Sequence, residues 1–367
     1  MRPKSIAVLL VLLIVAGPTP SALGAKRQRY LHVVTYTFEN RGDEPYILKE
    51  DDATIPLFFN NSWQTVRILN ATHAVNPEEP DVDGNRLAVL DLPPEIPPHS
   101  SLTFSVAYEI ESTDRPKPAI DPAEAGLPQD IPQKLLEEFC LETETFTLGD
   151  EEVQALARRL AAGETTVLGV VTRFLDWFIA NVSYRTFEVP RYPNETLARG
   201  NGDCDDQAIL LATMCRILGI PALLQVGCLF HEDLKGERDS WGGHLHIEQR
   251  GLGWHGWTSV YIPPWGWLPI DMTLVQSQDP LSRITEAPMY ESFVVTCLNV
   301  SRQEYIGDSR LAREELMSSD LYITMSEKMA EGSSDAGWTT TTLYLALSIV
   351  IASAVVIPII LLRRRRS

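Results

Sequence analysis

Basic residues are in short supply: 31 Lys and Arg stand against 49 Asp and Glu in 367 residues, a formal net charge of −18 at neutral pH. A chain this acidic lacks the cationic surface that a phosphate backbone requires, which excludes a nucleic-acid partner. Glycine and proline, 22 and 25 residues, stay near average usage, and no internal repeat occurs, so a fibrous or disordered chain is excluded as well. No EF-hand calcium loop is readable, and no cofactor is expected. Cysteines are few and odd in number, at positions 140, 204, 215, 228 and 297, which leaves at least one thiol unpaired.

Long apolar runs are absent except at the two ends. Residues 1–24 carry Arg2 and Lys4, an apolar stretch from Ile6 to Ala16 and a small-x-small site at Ala22-Leu23-Gly24, the pattern of a secretory signal. Gly17, Pro18 and Pro20 break this run too early for a span of about 20 residues. Residues 343–362 hold no charge, and at a rise of about 1.5 Å per residue they cover a hydrocarbon core of roughly 30 Å. Pro358 is tolerated inside such a span. Arg363 to Arg366 follow directly and predict a cytoplasmic tail (363–367), so the chain reads as a single-pass cell-membrane protein whose N-terminal part is extracellular. Setting aside the six basic residues of these ends leaves 25 basic against 49 acidic residues, a net charge of −24 for the exported part.

Export implies a compartment where disulfides persist. Pairing among Cys140, Cys215, Cys228 and Cys297 stays open, as does glycosylation at the Asn-x-Ser/Thr sites Asn60, Asn70, Asn181, Asn194 and Asn299.

The exported part predicts an α+β protein. Over 25–113, Leu31 to Phe38 and Ser101 to Ile110 show the alternation of strands, with shorter candidates at Thr65 to Leu69 and Leu87 to Leu92. Turn clusters separate them, which suits an antiparallel β-sandwich. Its histidines His32, His73 and His99 are scattered and suggest no site. A Pro-rich connector (114–150) leads to a helical region. Helices are predicted at Glu151 to Ala162, at Thr165 to Asn181 with Thr165 or Thr166 as cap, and at Asp203 to Leu218, stopped by Gly219 and Pro221. Strands follow at 222–230, 244–249, 255–262 and 267–271. Residues 301–342 are polar and acidic and read as a stalk, with helix formers at Leu311 to Leu316.

One constellation carries chemistry. In Gly200-Asn-Gly-Asp-Cys-Asp-Asp-Gln-Ala208 a glycine-rich turn opens an apolar helix and places Cys204 in its first turn. There, unpaired N–H groups and the helix dipole lower a thiol's pKa from about 8.5 and can receive an oxyanion. Asp203, Asp205 and Asp206 oppose the thiolate unless they point away. A nucleophilic Cys needs a base, and His255 opens one strand sixteen residues before Asp271 ends the next. Adjacent antiparallel strands would let Asp271 hold one nitrogen of His255 and set its tautomer. His244, His246 and Glu248 compete as a His-x-His-x-Glu metal set, such as for zinc, but no further ligand block accompanies them. Trp241, Trp254, Trp257, Trp265 and Trp267 read as sheet core and cleft wall.

Three blocks occur in order: Gly202-Asp-Cys204 with its helix running to Pro221, then His255-Gly-Trp257 with Val260-Tyr261, then Gly266-Trp267-Leu-Pro-Ile-Asp271-Met-Thr273. Together they resemble the transglutaminase-like superfamily of papain-related thiol enzymes over about Glu151 to Thr273. The whole layout is similar to archaeal and bacterial surface proteins of this type. The resemblance implies a catalytic domain at 151–300, with helices packed on an antiparallel sheet, and it assigns Cys204 as nucleophile, His255 as base and Asp271 as orienter. Gly256 replaces the Ala usual in that strand, Ser259 an acidic residue and Met272 a common Pro, and none of these removes a catalytic atom.

The implied activity is acyl-thioester chemistry on amide or peptide bonds of protein or peptide substrates, with hydrolysis and acyl transfer both open. A catalytically inactive tethered module is the alternative from another class. Four cysteines could pair, and Cys204 is the one expected to stay free.

Overall fold

A computed structural model describes residues 27–332. The expected signal (1–24), membrane span (343–362) and tail (363–367) lie outside the described residues. Among those described, no helix is long and apolar enough to cross a membrane.

Alternating and β-branched segments build one large sheet from β1 (Arg27–Asn40), β2 (Gln64–Ala71), β3 (Ser100–Thr113), β4 (Ala222–Ser240), β5 (Leu245–Ile262), β6 (Gly266–Ile270), β7 (Val294–Val300) and β8 (Leu321–Gly332). The strand order is β7-β4-β5-β8-β1-β3-β2, with β6 also on β5. All pairings are antiparallel except β5 with β8.

Two expectations change here. β1, β2 and β3 come from the segment expected to form a separate sandwich, yet they continue the sheet of the second half. A smaller sheet of Thr54–Pro56, Leu87–Leu90 and Val75–Pro77 does supply Ile55, Ala88 and Leu90 to the core over Tyr36, Phe38, Phe104 and Tyr108. The same core takes in Cys228, Phe230, Ile247 and Met325, so the two halves share apolar packing as well as strands. The stalk reading fails for the described part of 301–342: β8 lies between β5 and β1, and a helix precedes it. Its Leu321, Ile323 and Met325 are buried at every second position, a period-2 signal hidden by the polar residues between them.

The helices are α1 (Gln133–Phe139), α2 (Glu151–Leu160), α3 (Val167–Asn181), α4 (Pro193–Arg199), α5 (Cys204–Ile217), α6 (Ser282–Thr285) and α7 (Tyr305–Met317). The Asp150 carboxylate accepts from the first turn of α2, and the Thr166 hydroxyl accepts from the Gly169 N–H of α3 at 3.1 Å. α5 is buried on all sides from Asp206 to Arg216, as its apolar circumference requires of a central helix. It packs against Leu224, Val226, Val260 and Ile262 of the sheet and against α2 and α3. Each buried Leu or Ile of α5 contributes about 1.5–3 kcal/mol. That exceeds the roughly 1–2 kcal/mol needed to order a residue's backbone, so the helix start is held firmly in place.

Candidate active site

The first turn of α5 is built by close approach. A Cβ on Gly202 would lie 2.7 Å from Asp206 Cβ and 3.1 Å from Thr196 Cγ2, so only glycine lets the incoming chain lie against the helix. Asp203 stands at the N-cap position but does not cap; its Oδ2 accepts the Phe187 N–H at 3.1 Å. Fully buried Asp206 accepts the Arg191 N–H at 2.7 Å and Nε–H at 3.0 Å, while the Arg191 guanidinium lies 3.7 Å from the Phe187 ring centroid. Two of the three acidic neighbours of Cys204 therefore tie the 187–191 loop to the helix. The third, Asp205, accepts a hydrogen bond from Tyr305 Oη at 2.8 Å. Tyr305, at the start of α7, is a site neighbour that sequence reading missed, because its helix was assigned to a stalk.

Desolvation pushes the Cys204 thiol well above its ordinary pKa, and the charges of Asp205 and Asp203 act in the same direction. N–H groups of Gly256 and Asp205 directed at the sulfur oppose the rise. The expectation of a lowered pKa at the helix start is thus overturned by burial and flanking carboxylates. Asp203 is itself pushed up to about 10, by burial first and then by Asp205. Asp206 is raised to about 6 by burial and by Asp205, with Arg191 limiting the shift.

His255 and Asp271 sit at a gap in the sheet. β5 pairs with β8 over Leu245 to Arg250 and with β6 over Thr258 to Ile262, so the stretch between has a strand partner on the β4 side alone. Gly256 lies in that stretch and meets the start of α5. A Cβ there would stand 3.2 Å from Asp205 Cβ and 3.3 Å from its Cα, which explains glycine in place of the usual alanine.

His255 Nε2 donates to Asp271 Oδ2 at 2.6 Å, with both side chains buried. Asp271 Oδ1 accepts N–H groups of Thr273 at 2.9 Å and Leu274 at 2.6 Å. Burial alone would raise the Asp271 carboxyl, but the hydrogen bond and charge of His255, with these N–H groups, hold it below the usual carboxylate value. The ring also lies along Trp257, with centroids 6.2 Å apart. Adjacent antiparallel strands have therefore brought His255 to Asp271 as their spacing suggested, and Asp271 leaves Nδ1 to another partner. Gly256, the residue after His255, directs its N–H at the Cys204 sulfur and so links the two positions.

The competing metal set does not assemble as drawn from sequence. His244 bonds the Leu321 carbonyl oxygen through Nδ1 at 3.0 Å and stacks on Tyr322, away from His246. Trp241 and Trp257 are core residues, whereas Trp265 and Trp267 join Trp63 in lining a cavity of about 780 Å³ that none of Cys204, His255 and Asp271 reaches. All five cysteines are free thiols, and Cys204 retains partial exposure.

No curated protein sequence matches the chain. Among solved structures, a candidate cysteine protease from Cytophaga hutchinsonii is similar at 14% identity and a TM-score of 0.48, over 86% of this chain and 93% of that one. A candidate protease from Parabacteroides distasonis ATCC 8503 is similar at 12% identity and a TM-score of 0.28, over 68% of this chain and 64% of that one. Residues 154–272, from α2 to just past Asp271, match the family model of the transglutaminase-like superfamily. The chain therefore carries a transglutaminase-like superfamily domain, and Cys204, His255 and Asp271 all fall within it.

Proposed function

We propose that this is a cell-surface thiol enzyme acting on amide or peptide bonds, with Cys204 as nucleophile, His255 as general base and Asp271 as the group that orients the imidazole. The observation that carries the reading is the 2.6 Å His255–Asp271 bond, in a strand whose next N–H, that of Gly256, is directed at the Cys204 sulfur. The thiol is held neutral at rest, so its proton passes to His255 Nδ1 as sulfur attacks the carbonyl carbon. A tetrahedral oxyanion forms. The N–H of Cys204, at a helix start that no side chain caps, is a donor for it. Collapse expels the amine, which takes the proton back from His255, and leaves an acyl thioester. Water then releases an acid, whereas a second amine gives a transfer product. The surface location rests on the signal, span and arginine patterns of the sequence, and a −24 exterior favours basic substrates weakly.

A second reading, an inactive tethered module, is favoured by the burial of Cys204 and its carboxylate neighbours Asp205 and Asp203, which raise the thiol pKa. Iodoacetamide labelling separates the two. Under the enzyme reading Cys204 is alkylated faster than the other four cysteines, and His255→Ala slows it by about 10²–10⁴-fold. Incubation with glutamine peptides and a primary amine then yields cut, deamidated or amine-linked products that vanish in folded Cys204→Ser. Labelling at Cys204 that is indifferent to His255→Ala would sink the enzyme reading.

A further inference from the structure

In the outer half of the β4–β5 pairing the register sets Glu237 opposite Glu248 and Asp239 opposite His246. Side chains of directly opposed residues share one face, so all four project together. Donor atoms of Glu237, His246 and Glu248 lie within 4.8 Å of one another. We propose that these three residues hold a divalent transition-metal ion of the zinc type, with Asp239 orienting the histidine.

Three features support this. First, His246 Nδ1 donates to Asp239 Oδ1 at 2.8 Å, which holds the ring with Nε2 facing Glu248, whose Oε1 is 3.6 Å away; an ion entering between them would take the place of the Nε2 proton. A carboxylate behind a histidine is the usual support of a metal-binding imidazole. Second, Glu237 and Glu248 are like charges placed directly across two strands, an arrangement that costs stability unless a cation lies between them. Third, Glu248 Oε2 is buried and accepts no hydrogen bond. A buried carboxylate oxygen without a partner is expensive. Lys328 on β8 feels the Glu248 charge, yet its Nζ is also buried without a hydrogen bond, which leaves His246 facing only the other carboxylate oxygen, Oε1. One imidazole nitrogen and two carboxylates, with room for water, suit zinc better than calcium, which prefers oxygen donors throughout. The ion would pin the part of β4 that has β5 as its sole strand neighbour.

The test is zinc chloride titrated into the metal-stripped full chain carrying Cys140→Ala and Cys204→Ala, which removes the two partly exposed thiols as competing ligands. Expected are one equivalent of zinc and a raised melting temperature. Both are lost in His246→Ala and kept in His244→Ala, and affinity falls by about 10–100-fold in Asp239→Asn, a surface change that spares the fold. No zinc uptake, uptake unchanged in both His246→Ala and Asp239→Asn, or calcium bound as tightly as zinc would overturn the site.

Discussion

Gly256 shows how a single missing methyl group shapes the site. An added Cβ must displace Asp205 backbone by a few tenths of an ångström, and overpacking of this kind costs about 1–3 kcal/mol. Alanine also restrains the unfolded chain, which returns about 0.4–1 kcal/mol, so the net effect is destabilising. Gly256→Ala is therefore expected to lower the urea midpoint and to slow alkylation of Cys204 by moving the N–H that faces its sulfur. Unchanged values of both would show that the helix start has slack there. That His255 and Asp271 would meet was legible from residue types and spacing. Tyr305 and the divided roles of Asp203, Asp205 and Asp206 were not, because they depend on chain segments up to a hundred residues apart meeting at one helix end.

At the level of elements, α3 and α5 announced themselves through local signals: a cap at Thr165 or Thr166, and a Gly-then-Pro stop after α5. Strand β8 had no such signal beyond alternation, and its ladder partners on β1 lie almost three hundred residues away. Thr324→Pro tests its place. Thr324 pairs with Thr37 of β1 and His246 of β5, so proline there removes ladder bonding inside the sheet and is expected to cost about 3 kcal/mol or more. A solvent-exposed stalk would register less than about 0.5 kcal/mol. A thermal melt within a degree or two of the parent would return 321–332 to the stalk.

For the whole molecule, the buried carboxyls set how stability varies with pH. Asp203 and Asp206, raised to about 10 and about 6, contribute stability that is complete below the unfolded carboxylate value and is lost as pH rises through each folded value. Asp271 works in reverse: held low by His255, it stabilises above the unfolded value and loses its contribution as pH falls through its folded one. Urea unfolding should therefore show lower stability at about pH 9 than at about pH 5, with a shallower decline in Asp203→Asn. Equal slopes in the two proteins would refute the raised Asp203 value.

Sequence alone determined the local matters: the α+β class, the helix of Cys204 with its stop, the His255 and Asp271 strands, and the scarcity of basic residues outside the two ends. These follow from periodicity, capping and spacing, which act over a few residues. Tertiary structure alone decided that the N-terminal strands and Leu321–Gly332 complete one sheet with the second half. It also decided that burial raises the Cys204 thiol and that Glu237 and Asp239, in place of His244, are the residues that meet His246 and Glu248. Strand register and desolvation are properties of distant segments brought together, and no window of the sequence contains them.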